Sequence, residues 1–271
     1  VPQLRILWRI PACIVVTAFF AALTPIARLA GRDAAGVARL GARFAGRWGR
    51  VLCAILGVER RIEGVVPDGP AFLVASNHLS YLDILVLGSI YPSLFVAKRE
   101  IATWPLFGWV ARGAGTIFVD RERPKDVIRA GREMTATLVG GVPLTIFPEG
   151  RSSAGTTILP FLPSLLEPAA QAGVACHAAS ISYETPGSPE PPSDTVCWHD
   201  GSSFPAHFVR LAGLGRIVAR VRFASTPVRS ADRKELARTL WGCARPSAQS
   251  LAGSQTSAPT RSHGSRPSSV A

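Results

Sequence analysis

The sequence predicts an α/β protein: a mostly parallel central sheet flanked by helices, preceded by a membrane-associated helix pair. Three observations lead there. From Val58 onward, short apolar runs of strand length alternate with helical stretches. Before that, residues 10–27 form an uncharged apolar run with arginines at both ends. Three strand ends also carry clustered polar residues, and an α/β fold places its chemistry along one such sheet edge.

At the N-terminus, the run from Ile10 to Ala27 falls near the lower limit of a spanning helix, about 17 to 25 residues. Arg5 and Arg9 flank one end, Arg28 and Arg32 the other. That symmetry weakens a positive-inside assignment and fits a hydrophobic helix whose two ends both reach one interface. A signal peptide would need a small-residue cleavage site, and no clear one follows. A buried core helix would not need arginines at both ends. Membrane anchoring is therefore the expectation. In the next stretch Val37, Leu40, Phe44, Trp48, Val51, Leu52 and Ile55 recur at helical spacing, with Arg39, Arg43, Arg47 and Arg50 mostly opposite. A basic amphipathic helix with Trp lies in an anionic interface, or packs on the rest of the protein, or both. Residues 1–57 are thus expected to be a membrane-associated helical region.

Residues 58–245 read as the α/β domain. Strands are expected at Val58–Gly64, Ala71–Ala75, Leu94–Lys98, Thr116–Val119, Val142–Phe147, Ala178–Tyr183 and Arg216–Phe223. Helices are expected at Leu82–Ile90, Trp104–Arg112, Lys125–Val139 behind Pro124, Ser164–Ala172, Phe204–Leu214 and Asp232–Trp241. Gly187–Pro192 reads as a loop. From Pro246 to Ala271 the chain is Ser, Pro, Ala, Gly and Arg without periodicity, and reads as a disordered tail.

Composition narrows the partners. The chain has 271 residues, is 47% apolar and carries a formal net charge of +12. Such a charge implies nucleic acid, anionic lipid or a phosphorylated substrate; the competing reading is an Arg-rich codon bias, since the lysines are only Lys98, Lys125 and Lys234. No Lys/Arg-rich block and no zinc-finger spacing occurs, so lipid is favoured and nucleic acid is not expected. The cysteines (Cys13, Cys53, Cys176, Cys197, Cys243) are widely spaced with no C-x-x-C pair, and read as reduced thiols in a cytosol-facing protein. No histidine pair has metal-ligand spacing; no metal and no cofactor is expected.

The sharpest motif is Ser76-Asn77-His78-Leu79-Ser80-Tyr81-Leu82-Asp83, where an apolar strand gives way to a helix. Ser80 reads as an N-cap and Asp83 as the third helical residue, a capping box with Asp for Glu. Asp83 is then either a cap alone or a carboxylate, held ionised at the helix start, that turns back to His78 and supports it as a base. The second cluster is Gly115…Phe118-Val119-Asp120-Arg121, and the third is Phe147-Pro148-Glu149-Gly150-Arg151-Ser152-Ser153. In a parallel sheet all three would line one crevice. Arg121 is either an anion-binding guanidinium or half of a surface ion pair with Asp120 or Glu122. Lys98 is a further cation near the site or the solvated end of its strand. His199, Asp200 and His207 lack a supporting block and read as loop or surface residues.

The three clusters, in this order, resemble the bacterial glycerolipid acyltransferases of the 1-acylglycerol-3-phosphate O-acyltransferase type. That family carries Asn-His-x-x-x-x-Asp, Gly-x-x-Phe-x-x-Arg and Phe-Pro-Glu-Gly blocks, present here as Asn77-His78…Asp83, Gly115…Phe118…Arg121 and Phe147-Pro148-Glu149-Gly150. The resemblance covers roughly Val58 to Phe223. Residues 98–123 look most like a branch that includes lyso-ornithine lipid acyltransferases. Two departures stand out: Arg151-Ser152 replaces the usual Thr-Arg after Glu-Gly, and Ala178 takes the place of a usual strand proline.

The resemblance implies transfer of a fatty acyl group from an acyl-carrier-protein or coenzyme A thioester to a lysolipid hydroxyl. His78 and Asp83 would be catalytic; Asn77, Phe118, Arg121, Glu149, Gly150 and Arg151 would bind substrate. The acceptor would be 1-acylglycerol-3-phosphate or, as the rival, lyso-ornithine lipid. The expected location is the inner (cytoplasmic) membrane with the catalytic domain on the cytoplasmic side. A lipid hydrolase is disfavoured by the absence of a Gly-x-Ser-x-Gly elbow. A non-catalytic lipid-binding protein is the remaining alternative.

Overall fold

The computed structural model of the chain describes residues 2–31 and 33–245, with the side chains of all of these but 26–30. The tail from Pro246 and the flanking Arg32 lie outside the described residues, as does the Arg28 side chain. The chain opens with α1 (Pro2–Ala30) and α2 (Ala34–Leu56). There follow β1 (Val58–Glu63), β2 (Phe72–Ser76), α3 (Leu82–Ile90) and β3 (Leu94–Lys98), then a 3-10 turn, Arg99–Thr103. Next come α4 (Phe107–Gly113), β4 (Ile117–Val119), α5 (Pro124–Val139) and β5 (Leu144–Ile146). A second 3-10 turn, Pro163–Leu165, leads into α6 (Glu167–Ala172) and β6 (Ala175–Glu184). The chain then forms α7 (Pro192–Thr195), α8 (Phe204–Gly213), β7 (Ile217–Phe223) and α9 (Arg233–Ala244).

The strands form one seven-stranded sheet in the order β1-β7-β6-β2-β5-β3-β4. Every pair is parallel except β6 with β7. The C-terminal ends of β2, β5, β3 and β4 therefore share one edge. β2 is buried at all five residues, as a central parallel strand covered on both faces should be. Its Phe72 and Val74 face a core shared with α1, α2, α3 and α8, while Leu73 and Ala75 face another shared with α5, α6 and α9.

Several sequence-based boundaries move: β5 shortens to Leu144–Ile146, β6 begins three residues earlier at Ala175, and α9 runs on to Ala244. The helix expected from Trp104 starts at Phe107, because Trp104 precedes Pro105 and adopts an extended backbone (ψ 133°). The stretch expected as a helix from Ser164 is divided between the second 3-10 turn and α6.

The helix pair is part of this packing. α2 is capped by Asp33, whose side chain accepts from the Gly36 N–H, and ends at Gly57 with φ +74°. Gly46 and Gly49 let it lie directly on α3: a Cβ at either would come within 2.6 Å of the Gly88 carbonyl oxygen or 2.8 Å of that of Leu85. α1 packs along α2, α8 and α4. Its inward face carries Arg9, Cys13, Thr17, Ala21 and Thr24; Trp48 Nε1–H donates to Thr17 Oγ1 at 3.2 Å. Its outward face carries Leu4, Leu7, Trp8, Ile14, Val15 and Phe19, all at least half exposed. Arg9 does not reach an interface as the flanking pattern suggested. It is buried and donates to the carbonyls of Ala212 (3.2 Å), Leu214 (2.6 Å) and Gly215 (3.4 Å), satisfying the C-terminal end of α8.

Candidate active site

The site begins where β2 ends. Its last residue, Ser76, is followed by Asn77 and His78, and the chain reverses into α3. α3 starts at Leu82, later than a Ser80 cap would give, yet Asp83 still reaches back. Its Oδ2 accepts from the backbone N–H groups of Leu79 (2.7 Å) and Ser80 (3.0 Å) and lies 2.8 Å from His78 Nδ1. Its Oδ1 accepts from the Tyr183 hydroxyl at 2.7 Å. Asp83 thus ties down the turn that precedes α3 and partners the histidine; α3 itself follows Tyr81 without a side-chain cap. Its side chain is fully buried, whereas that of His78 is 22% exposed. A carboxylate whose oxygens both receive donors leaves the imidazole proton on Nδ1 and the lone pair on Nε2. Phe147 covers one ring face: the His78 and Phe147 rings stack with centroids 4.1 Å apart.

The three clusters meet, as a shared sheet edge requires. His78 opens onto a cleft of about 400 Å³ lined by β3 residues Val96 to Lys98, by Glu100, Ile101 and Trp104, and by Arg121, Gly150 and Arg151. Tyr81, Ser152 and Trp198 also line it, over an apolar floor that includes Ile146, Phe147 and Leu165. The guanidinium of Arg121 donates to the Gly150 carbonyl, joining the second cluster to the third; it does not pair with Asp120 or Glu122. Gly150 has φ +77°, and a Cβ there would lie 2.8 Å from Leu162 Cδ1, so the turn requires glycine. Lys98 and Arg151 are exposed at the cleft and are without ion pairs among the described residues. A larger cleft of about 620 Å³ lies at the opposite sheet edge, away from these groups.

Three residues expected to bind substrate are placed elsewhere. Asn77 is buried, and both ends of its amide are taken by β6: Nδ2 donates to the Ile181 carbonyl (3.0 Å) and Oδ1 accepts from the Ile181 N–H (2.7 Å). Glu149 is buried under the loop, accepting from the N–H of His78 (3.1 Å) and of Leu159 (2.8 Å). Burial pushes its carboxyl above the usual carboxylate range, opposed by those two N–H groups. Phe118 is half-buried on β4 and does not line the cleft. Asn77 and Glu149 brace the backbone rather than line the cavity, because buried polar groups must find partners, and Phe118 points away from the cleft because strand side chains alternate faces.

Other placements were not legible locally. Tyr183 carries no motif and reaches Asp83 only through sheet pairing. His207 is not a surface residue: it is fully buried on α8, within 3.0 Å of the Tyr81 hydroxyl and 3.2 Å of the Cys197 carbonyl. Burial lowers its pKa, so it stays neutral and braces the Tyr81 wall of the cleft. His199 and Asp200 are exposed loop residues, as expected. All five cysteines are free thiols.

A histidine–carboxylate pair at the C-terminal edge of a mostly parallel sheet, opening onto a cleft rimmed by cations, defines an α/β protein with a candidate site for group transfer. Comparison with known proteins gives the class. Residues 58–182 match the Acyltransferase family model. The chain is 35% identical over 235 residues, 86% of each chain, to the lyso-ornithine lipid O-acyltransferase of Pseudomonas aeruginosa. It is 38% identical over 136 residues to the 1-acyl-sn-glycerol-3-phosphate acyltransferase of Neisseria meningitidis serogroup B; that match spans 50% of this chain and 53% of the relative, about half its length. In fold it matches the crystal structure of the 1-acyl-sn-glycerophosphate acyltransferase PlsC of Thermotoga maritima. The TM-score is 0.69, with 20% identity and 95% and 98% of the two chains covered. The chain belongs to the acyltransferase family.

Proposed function

We propose that this chain transfers a fatty acyl group from a thioester, carried by acyl carrier protein or coenzyme A, to the free hydroxyl of a lysolipid at the cytoplasmic face of the inner membrane. The observation that carries this reading is the buried Asp83 carboxylate on His78 Nδ1 at the mouth of a cleft rimmed by Lys98, Arg121 and Arg151. His78 Nε2 takes the acceptor's hydroxyl proton as the oxygen attacks the thioester carbonyl carbon. The C–O bond forms, the C–S bond breaks, and the departing thiolate recovers the proton from the imidazolium. Asp83 stabilises that imidazolium while it exists.

The cations favour an anionic acceptor, 1-acylglycerol-3-phosphate, with its phosphate on Arg121 and Arg151. Gly150 keeps the backbone open to the head group. A second reading, a lyso-ornithine lipid acceptor, is favoured by the end-to-end match to the Pseudomonas relative. It is also favoured by Glu100 in the same cleft, since an ornithine head group brings an ammonium as well as a carboxylate.

Residues 58–245 carry the chemistry and residues 1–57 the membrane contact. α1 is long and apolar enough to cross a bilayer, yet it lies along the protein with its apolar face outward. That arrangement supports a helix sunk into one leaflet, lying in the interface plane. The exposed Arg43, Arg47 and Arg50 of α2 suit anionic lipid head groups.

The test is to incubate purified protein with labelled acyl thioester and each lysolipid in turn. Transfer to 1-acylglycerol-3-phosphate or to lyso-ornithine lipid identifies the acceptor. Transfer to neither overturns the reading, and free fatty acid released without acceptor replaces it with a hydrolase. His78→Ala is expected to abolish transfer while leaving the protein folded and membrane-associated; retained turnover defeats the role of His78.

A further inference from the structure

The support of Asp83 extends to a residue outside the three motifs. Tyr183 lies on β6 and is buried. The β2–β6 pairing runs to Ser76 opposite Ala179, and Asn77 extends it by gripping both backbone groups of Ile181. Tyr183 follows Ile181 by two residues and so projects from the same face of the strand. Its hydroxyl donates to Asp83 Oδ1 at 2.7 Å. Among the described residues this is the donor given to Oδ1; the other donors, including His78, converge on Oδ2.

We infer that Tyr183 is a positioning residue for acyl transfer: by anchoring Oδ1 it holds the Asp83 carboxyl plane so that Oδ2 stays on the imidazole through the proton transfer. The inference rests on the reading of His78 as the base. Burial and the adjacent Asp83 charge push the Tyr183 phenol well above its ordinary range, so it remains a donor and gives up no proton itself. Its hydrogen bond stabilises the dyad with its proton removed, where the carboxylate charge is unbalanced, more than the imidazolium form, where the charge is already paired. Losing it therefore raises the proton affinity of the pair.

The test is Tyr183→Phe, which keeps the ring and removes the hydroxyl. The expected result is a kcat lower by about tenfold or more, with acceptor KM within about twofold. The acidic limb of the pH–rate profile should move to higher pH by at least about half a unit. Tyr91→Phe is the control: it removes an equally buried phenol hydroxyl, bonded to Thr145 at 3.0 Å, and should lower the melting temperature without moving the limb. Site-specific replacement of Tyr183 by 3-fluorotyrosine, a stronger donor, should move the limb the opposite way and keeps the test alive if Tyr183→Phe fails to fold. A limb unmoved in both variants, or a kcat for Tyr183→Phe within about twofold of the unaltered protein, overturns the inference. The reading of His78 fails separately, by retained turnover in His78→Ala. An inactive His78→Ala beside an unaffected Tyr183→Phe defeats this inference alone.

Discussion

Phe147 lies flat on His78, its ring plane 18° from that of the imidazole. The residue that follows strand β5 thus covers one face of the histidine while Asp83 holds one edge. Cutting Phe147 to Leu keeps most of the apolar volume but removes the stack, a contact of about 0.5–1.5 kcal/mol. The expected outcome is a kcat lower by about two- to tenfold with little change in acceptor KM. An unchanged kcat would mean that Asp83 alone orients the ring.

Asn77 sits next to His78 but is a clamp on β6. Asn77→Ala orphans the N–H and C=O of Ile181 in a buried sheet, at a cost of about 2–4 kcal/mol. Denaturant unfolding should show that loss, with acceptor KM unaltered. A raised KM with normal stability would show instead that the amide touches substrate.

On α1, polarity is inverted relative to a helix facing water. Val15→Glu and Phe19→Glu place charges on the exposed apolar face and should each cut binding to anionic vesicles by about tenfold or more. Thr17→Ala, on the inward face, should lower melting temperature and leave vesicle binding intact. Flotation of the three variants separates the two faces. Equal binding by all three would sink the interfacial orientation.

The loop bearing Arg121 is held by Asp126, which accepts from the Asp120 N–H (2.7 Å) and from Arg129 Nε (2.8 Å). The Arg129 bond, then the Asp120 N–H, hold its carboxyl down at about 2. A depressed carboxyl contributes stability above the unfolded value of 3.8, lost as pH falls toward about 2. Melting temperatures of the protein and of Asp126→Asn should differ most at about pH 6 and converge as pH drops through the carboxylate range. A gap independent of pH would show that the charge is not what pins the loop.

Much of this was readable from the letters. β2 announced itself as an unbroken apolar run, and the strand-helix alternation foretold the parallel sheet. The pairing of His78 with Asp83 was readable because both lie in one turn, where five residues of spacing fix the geometry. Arg121 beside Gly150 followed from two parallel strands ending at one edge. Asn77, Glu149 and His207 were misplaced for a common reason: each is a polar residue whose partner is a backbone group or side chain far along the chain. For Asn77 that partner, Ile181, is 104 residues away.

By itself, then, the order of residues determined a mostly parallel sheet and the histidine–aspartate pair, which depend on local spacing and on the periodicity of apolar side chains, while the family came from the resemblance of the three motifs. Only the folded structure decided which polar groups face the cleft and which brace it, that Tyr183 stands behind Asp83, and that the N-terminal helix turns Arg9 inward and its apolar face out. Those outcomes depend on how buried donors and acceptors are satisfied across the sheet. That is a property of three-dimensional pairing, and no window of sequence contains it.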